Sequence, residues 1–263
     1  MNVVCLCPTY GRPNVVANAA ACFLTQDYPA DQRKLLILDD ANQIQPQWNV
    51  EGVSVITSAE RYSSLPAKYN VMIDIMSDWA DAVCVWDDDD IYLPWHIRTH
   101  VEAMTGKHGG RQRLWSHPTN VYSTYTGRPM IEAAAGRFHG SLAVQMSLLQ
   151  LMGGWVGVMP PHHPKRADFD QRMIAACASF DERGNPVLPH GPGYVYRWGD
   201  SGAVHCSGLM KTPDNEDWYD NMRISEPGVG GPLKPKFDAR TKQLMRELVP
   251  ASLPNPADEV FDD

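Results

Sequence analysis

The sequence contains no run of Lys and Arg, no apolar stretch of eighteen or more residues, no Cys-x-x-Cys pair, no internal repeat and no heptad series. With 23 Lys and Arg against 31 Asp and Glu, the formal net charge is −8. Nothing therefore tracks a phosphate backbone over several turns, and nucleic-acid binding is not expected. One local groove containing Arg111, Arg113, Lys165, Arg166, Lys234 and Lys236 stays compatible with that charge. The missing apolar stretch excludes a membrane-spanning helix, and an apolar start without a basic leader predicts a cytoplasmic protein. A peripheral position beside a membrane stays open. The six cysteines, Cys5, Cys7, Cys22, Cys84, Cys177 and Cys206, lie mostly inside apolar runs, so they read as buried thiols in a reducing compartment.

At 263 residues and 43% hydrophobic content the chain can bury a large core, which excludes disorder of the whole. Short apolar runs at 2–7, 35–38, 53–56 and 82–86 read as strands. Helical periods at 14–26, 66–79 and 94–107 fall between them, the last with Pro94 in an early helical position. Strand alternating with helix predicts a mostly parallel central sheet flanked by helices, with ligands beyond the carboxyl ends of the strands. After 107 the texture is mixed. A hairpin is expected around Thr126-Gly127-Arg128, a strand and helix at 142–151, a helix at 168–180, and a late hairpin pairing 194–198 with 203–206. Residues 211–263 are expected to pack loosely.

The strongest constellation is Asp87-Asp88-Asp89-Asp90, directly after an apolar strand. Four bare carboxylates at a dry sheet end would repel one another, so something must neutralise them. In extended geometry Asp87 and Asp89 would share one face, with Asp88 and Asp90 on the other. Hard oxygen ligands of this kind suit Mg²⁺ or Mn²⁺. Capping of the following helix by Asp90 accounts for one or two acids but not four.

Four blocks in order, Pro8-Thr9-Tyr10-Gly11-Arg12-Pro13, Leu38-Asp39-Asp40, Leu65-Pro66-Ala67-Lys68-Tyr69-Asn70 and Asp87 to Asp90 followed by Pro94, resemble the inverting family 2 glycosyltransferases of GT-A fold. Gly140-Ser141-Leu142-Ala143 and Gly153-Gly154-Trp155 resemble the acceptor-side segment of that family. Ala167-Asp168-Phe169-Asp170 resembles its Glu-Asp-aromatic-Asp block, with Ala167 where Glu is usual. The resemblance covers about residues 2 to 206. It implies one GT-A (nucleotide-diphospho-sugar transferase) domain over 1–210, with a nucleotide-binding half at 1–107 and an acceptor and catalytic half at 108–210, the latter including a mixed sheet region.

The resemblance also implies roles. Pro8, Thr9 and Tyr10 would lie against the nucleobase, with Asp39 or Asp40 accepting hydrogen bonds from base or ribose. Lys68, Asn70 and Asp88 would border the nucleotide. Asp87 and Asp89 would hold Mn²⁺ or Mg²⁺ on the diphosphate, and Asp168 would be the general base. Trp155, Ser141 and Asp170 would face the acceptor, a hydroxyl-bearing glycan, small molecule or other molecule. The donor implied is a nucleotide sugar, UDP-linked by default. Arg12 and Arg61 are candidates to meet phosphate or base. His205 reads equally as a further metal ligand and as a satisfied core histidine. Two other functions stay open: a sugar-nucleotide-forming nucleotidyltransferase, for which a basic Gly-rich triphosphate loop is wanting, and a noncatalytic carbohydrate or nucleotide binding module. The sequence does not indicate an oligomeric state.

Overall fold

In the computed structural model, which describes residues 1–107, 110–159, 168–197 and 231–261, the first apolar run is strand β1 (Val3–Thr9), buried along its whole length. Burial on both faces suits a central parallel strand. Helix α1 (Pro13–Leu24) follows, opened by Pro13, whose missing amide hydrogen costs nothing there. Next come β2 (Arg33–Asp39), β3 (Gln47–Val50), β4 (Val53–Thr57), α2 (Leu65–Met76) and β5 (Ala82–Val85). Ser64 caps α2 by accepting from the Ala67 amide. The remaining described elements are β6 (Ile91–Tyr92), α3 (His96–Thr105), β7 (Trp115–Ser116), β8 (Asn120–Ser123), β9 (Met130–Ala133), β10 (Ala143–Gln145), α4 (Met146–Met152), α5 (Gly154–Gly157), α6 (Phe169–Phe180), β11 (Tyr194–Tyr196) and α7 (Ala239–Leu248).

The larger sheet has the order β3-β4-β2-β1-β5-β10-β7. Its centre, β4-β2-β1-β5, is parallel, whereas β3, β10 and β7 join in antiparallel pairings. Strands from both expected halves thus share one sheet. The alternation of β1 divides the core into two layers. Val3, Cys5 and Cys7 face the layer with α1, α3 and α7, while Val4 and Leu6 face the layer with α2, α4 and α6. Five cysteines, Cys5, Cys7, Cys22, Cys84 and Cys177, are buried free thiols; Cys206 lies outside the described residues. A smaller sheet, β6-β11-β8-β9, stands beside the exit of β5. No helix of the described residues is long and apolar enough to cross a membrane.

Two expectations change, and a third lies partly outside the described residues. Helix α3 starts at His96 rather than 94, because Ile91 and Tyr92 pair with β11 as a strand and the Leu93 amide donates to the Gly193 carbonyl. Strand β11 pairs antiparallel with β6 and parallel with β8; the other arm expected for the late hairpin, 203–206, lies outside the described residues. Residues 231–261 do not pack loosely. Phe237, Leu244, Met245, Val249 and Ala257 join the α1 layer, since the amphipathic face of α7 has an apolar surface to cover.

Candidate active site

The strand register builds the site. Thr9 pairs with Asp39 at the end of β2, and β1 runs alongside β5 up to the Leu6–Val85 pair, so the loops leaving three strands meet on one rim. Thr9 Oγ1 donates to Asp88 Oδ2 at 2.6 Å. The Thr9 carbonyl accepts from Lys68 Nζ at 2.5 Å, and the same ammonium bonds Asp40 Oδ1 at 2.5 Å. Lys68 is 2% exposed; burial lowers its pKa, opposed by the charge of Asp40. Asp40 Oδ2 also accepts from the Tyr62 amide. Asp39 accepts from the amides of Ala41, Gln43 and Ile44, shaping the loop after β2. Both carboxylates are thus engaged in building the rim. Pro8 lies buried inside β1.

The four acids do not continue the strand. β5 ends at Val85 and the chain turns at Asp88 and Asp89, so the alternation expected of an extended segment is lost. Arg12 instead bridges neighbours: Nη2 lies 2.5 Å from Asp88 Oδ1 and Nη1 lies 2.8 Å from Asp89 Oδ2. Asp90 accepts from the Tyr194 hydroxyl and from the Arg197 amide. Asp87 is half-buried; its amide donates to the Tyr92 hydroxyl at 2.6 Å and its Oδ1 accepts from the Tyr69 hydroxyl at 3.3 Å. Burial pushes the Asp88 carboxyl up to about 6, against the pull of Arg12, with the Asp89 charge adding to the rise. Much of the neutralisation that four acids demand therefore comes from the protein itself.

Tyr10 lies under Arg61, whose guanidinium carbon is 3.8 Å from the ring centroid. Asn70 faces α5: its Nδ2 donates to the Gly153 carbonyl at 2.9 Å and its Oδ1 accepts from the Val156 amide at 3.1 Å. Gly154 has φ +65°, and a Cβ there would fall 2.5 Å from Asn70 Oδ1, so backbone angle and close approach both require glycine.

Two acceptor-side expectations are corrected. Trp155 is fully buried, stacked on Tyr69 at 4.5 Å between centroids and donating to His139 Nε2 at 2.8 Å, so its ring has no face for an acceptor. Ser141 is also fully buried, its hydroxyl donating to the Phe138 carbonyl and lying 3.2 Å from His117 Nε2. Both are drawn inward because the Gly153-Gly154 turn and the 3₁₀ turn His139–Ser141 fold onto the α2 layer.

Asp168 precedes α6 with its side chain one-third exposed, and its Oδ2 accepts from Arg172 Nε at 3.0 Å. Asp170 accepts from the Gln171 amide, and burial raises its pKa. Between them Phe169 meets His139 edge-on at 5.4 Å, and His139 meets Tyr69 at 5.4 Å. A continuous aromatic path thus links the start of α6 to Asp87. His205 lies outside the described residues, as do Lys165, Arg166 and Ala167.

Among the described residues no group of three or more His, Cys, Asp or Glu forms a metal-holding set. The donor chemistry nevertheless fits a hard divalent cation: carboxylates at the end of a parallel strand, two of them already holding the positive charge of Arg12 as a stand-in. Sequence reasoning missed the shell around these acids, Tyr69, Tyr92, Tyr194 and Gly140. The signal available was Tyr92, an aromatic just after the four acids.

No protein-family model and no curated protein sequence matches the chain. Solved structures do. Staphylococcus aureus TarS 1-349 in complex with UDP-GlcNAc superposes with TM-score 0.57 at 13% identity, over 75% of this chain and 58% of that one. The same protein in complex with UDP gives 0.56 at 13% identity, over 75% and 60%. The mannosyltransferase PcManGT from Pyrobaculum calidifontis, in complex with GDP-Man and Mn²⁺, gives 0.52 at 16%, over 77% and 58%. This chain spans about three-fifths of the length of these solved chains, and 37% of the longer TarS structure. Their likeness gives it the GT-A-like fold of glycosyltransferases.

Proposed function

From this GT-A fold we propose that the protein is a metal-dependent inverting glycosyltransferase of the family 2 kind. It moves a sugar from a nucleotide-sugar donor, UDP-linked by default, to a hydroxyl of a glycan, small molecule or other acceptor. The observation that carries this reading is the junction of Thr9, the last residue of β1, and Arg12, just beyond it, with Asp88 and Asp89, after β5. It lies at the carboxyl ends of adjacent parallel strands, where open α/β sheets take their ligands. The UDP, UDP-GlcNAc, GDP-Man and Mn²⁺ of the structural neighbours support the ligand class.

In this reading Thr9, Lys68 and Asp40 hold the rim rigid, and Tyr10 with Arg61 offers a flat cationic surface to a nucleobase. Asp87 and Asp89 would hold Mn²⁺ or Mg²⁺, with His205 as a further ligand; a bound divalent ion neutralises the charge that grows on a diphosphate leaving group. Asp168, oriented by Arg172, takes the proton of the acceptor hydroxyl on its carboxylate as the oxygen attacks the anomeric carbon from the face opposite the diphosphate. One displacement inverts that centre.

The experiment is a thermal-shift series with UDP, GDP and dTDP, each with and without Mn²⁺, followed by turnover of the matching sugar nucleotides. Stabilisation by one nucleotide that depends on the ion, with consumption of its sugar derivative, supports the reading. Equal melting temperatures across the whole series would overturn it.

A further inference from the structure

The acids at the end of β5 already carry a cation, and its side chain is more open to solvent than the acids it bridges. Asp88 and Asp89 are 1% and 4% exposed, whereas the Arg12 side chain bridging them is 24% exposed. The main chain of Arg12 is anchored: it follows Gly11 at φ +71°, and its carbonyl accepts from the Val15 and Val16 amides at the start of α1. Only the side chain can leave without unravelling the fold. Around it Thr9 holds Asp88 from the opposite side, through Oδ2. Asp88 therefore keeps a donor when the guanidinium moves, and of the two contacts the one to Asp89 is the longer, 2.8 Å against 2.5 Å.

We infer that Arg12 is a counter-cation that a divalent metal must displace from Asp89, and that an incoming diphosphate then accepts. The inference rests on the proposed function of this site. Like charges this close in a poorly hydrated turn oppose each other strongly, so metal and guanidinium do not share Asp89 at no cost. A diphosphate supplies oxygens for both cations, and guanidinium pairs well with phosphate. Metal alone binds weakly in consequence, metal with nucleotide binds tightly, and Arg12 is the origin of that coupling.

The test measures Mn²⁺ binding by paramagnetic resonance titration, with Mn²⁺ alone and with Mn²⁺ plus UDP, in the wild type, Arg12→Gln and Arg12→Lys, with circular dichroism to confirm folding. Arg12→Gln should bind Mn²⁺ alone about tenfold tighter, the size of one charge-assisted contact no longer lost, and the factor by which UDP strengthens Mn²⁺ binding should fall by about as much. Arg12→Lys keeps the charge but cannot bridge two acids, so it should fall between the two. Folded variants that bind Mn²⁺ no better than the wild type overturn the inference. So does a failure of both variants to fold, which would make Arg12 a structural clamp. A wild type that binds neither Mn²⁺ nor Mn²⁺ with UDP removes the proposed function itself, a result visible before any variant is made.

Discussion

Gly140 and Asp87 meet so closely that a Cβ on the glycine would lie 2.6 Å from Asp87 Oδ2 and 2.8 Å from the Tyr194 hydroxyl. The acid loop and the 3₁₀ turn His139–Ser141 are thus fitted to each other, and the position of one carboxylate depends on a missing methyl group. The Tyr194 ring carbon Cε2 would also lie within 2.9 Å, but all three threatened atoms belong to side chains rather than to backbone, so the turn need not be rebuilt.

Gly140→Ala should accordingly stay folded yet displace Asp87. The expected outcome is about a tenfold loss of Mn²⁺-dependent UDP affinity, equivalent to one impaired ligand contact of about 1.4 kcal/mol. Calorimetric titration with Mn²⁺ and UDP measures it, beside an unfolding curve to confirm that stability is retained.

Lys68 and Asp40 form an ion pair with side-chain exposures of 2% and 0%. Lys68→Met leaves a buried carboxylate without its main cation and removes a donor from the Thr9 carbonyl. A loss of about 3–5 kcal/mol is expected. Urea denaturation checks it, and a loss below about 1 kcal/mol would mean that the rim re-forms without the lysine.

Burial holds His96, His100, His117 and His139 neutral. From the ordinary 6.5, His96 and His139 are lowered to about 3 and His117 to about 4, and His100 is lowered well below the usual range. A depressed imidazole contributes stability above the unfolded value near 6.5, and that contribution is lost as pH falls toward the folded values. Asp88, raised to about 6, works in the opposite direction over the same window. Asp170, also raised by burial, adds to Asp88, but four imidazoles outweigh two carboxylates, so the melting temperature should fall steadily between pH 6.5 and 4, and the unfolding free energy with it by on the order of several kcal/mol. A flat or rising profile would contradict neutral burial, and His96→Asn should reduce the slope.

Asp168→Asn should separate binding from transfer. The proposed base is removed while the β1 and β5 rim is untouched, so nucleotide affinity should stay within about twofold and kcat fall by about 10²–10⁴. Steady-state kinetics with a donor and acceptor pair, beside nucleotide titration, measures both. Trp155→Phe is the contrast: the ring is core, so its effect should appear in unfolding rather than in acceptor KM.

Much of the frame was legible because it is encoded within stretches of about ten residues. The runs that open β1, β2, β4 and β5 are apolar and short, and the α1 and α2 periods sit between turn formers. Strand β6 was not legible, because two residues carry no period and Ile91 and Tyr92 become a strand only by pairing with β11. Trp155 misled because Gly-Gly-Trp reads locally as an exposed turn, whereas the Tyr69 ring that covers it is 86 positions earlier in the chain.

By itself the sequence determined that strands alternate with helices and that acids gather where one strand ends, since backbone period and the cost of bare charge are local properties. Only the tertiary structure decided what answers that charge. Arg12 reaches Asp89 across 77 residues and Thr9 reaches Asp88 across 79, contacts that exist because β1 and β5 lie side by side in parallel. Which groups share a buried turn depends on strand order and register, and these are set by how the whole sheet packs between its two helical layers.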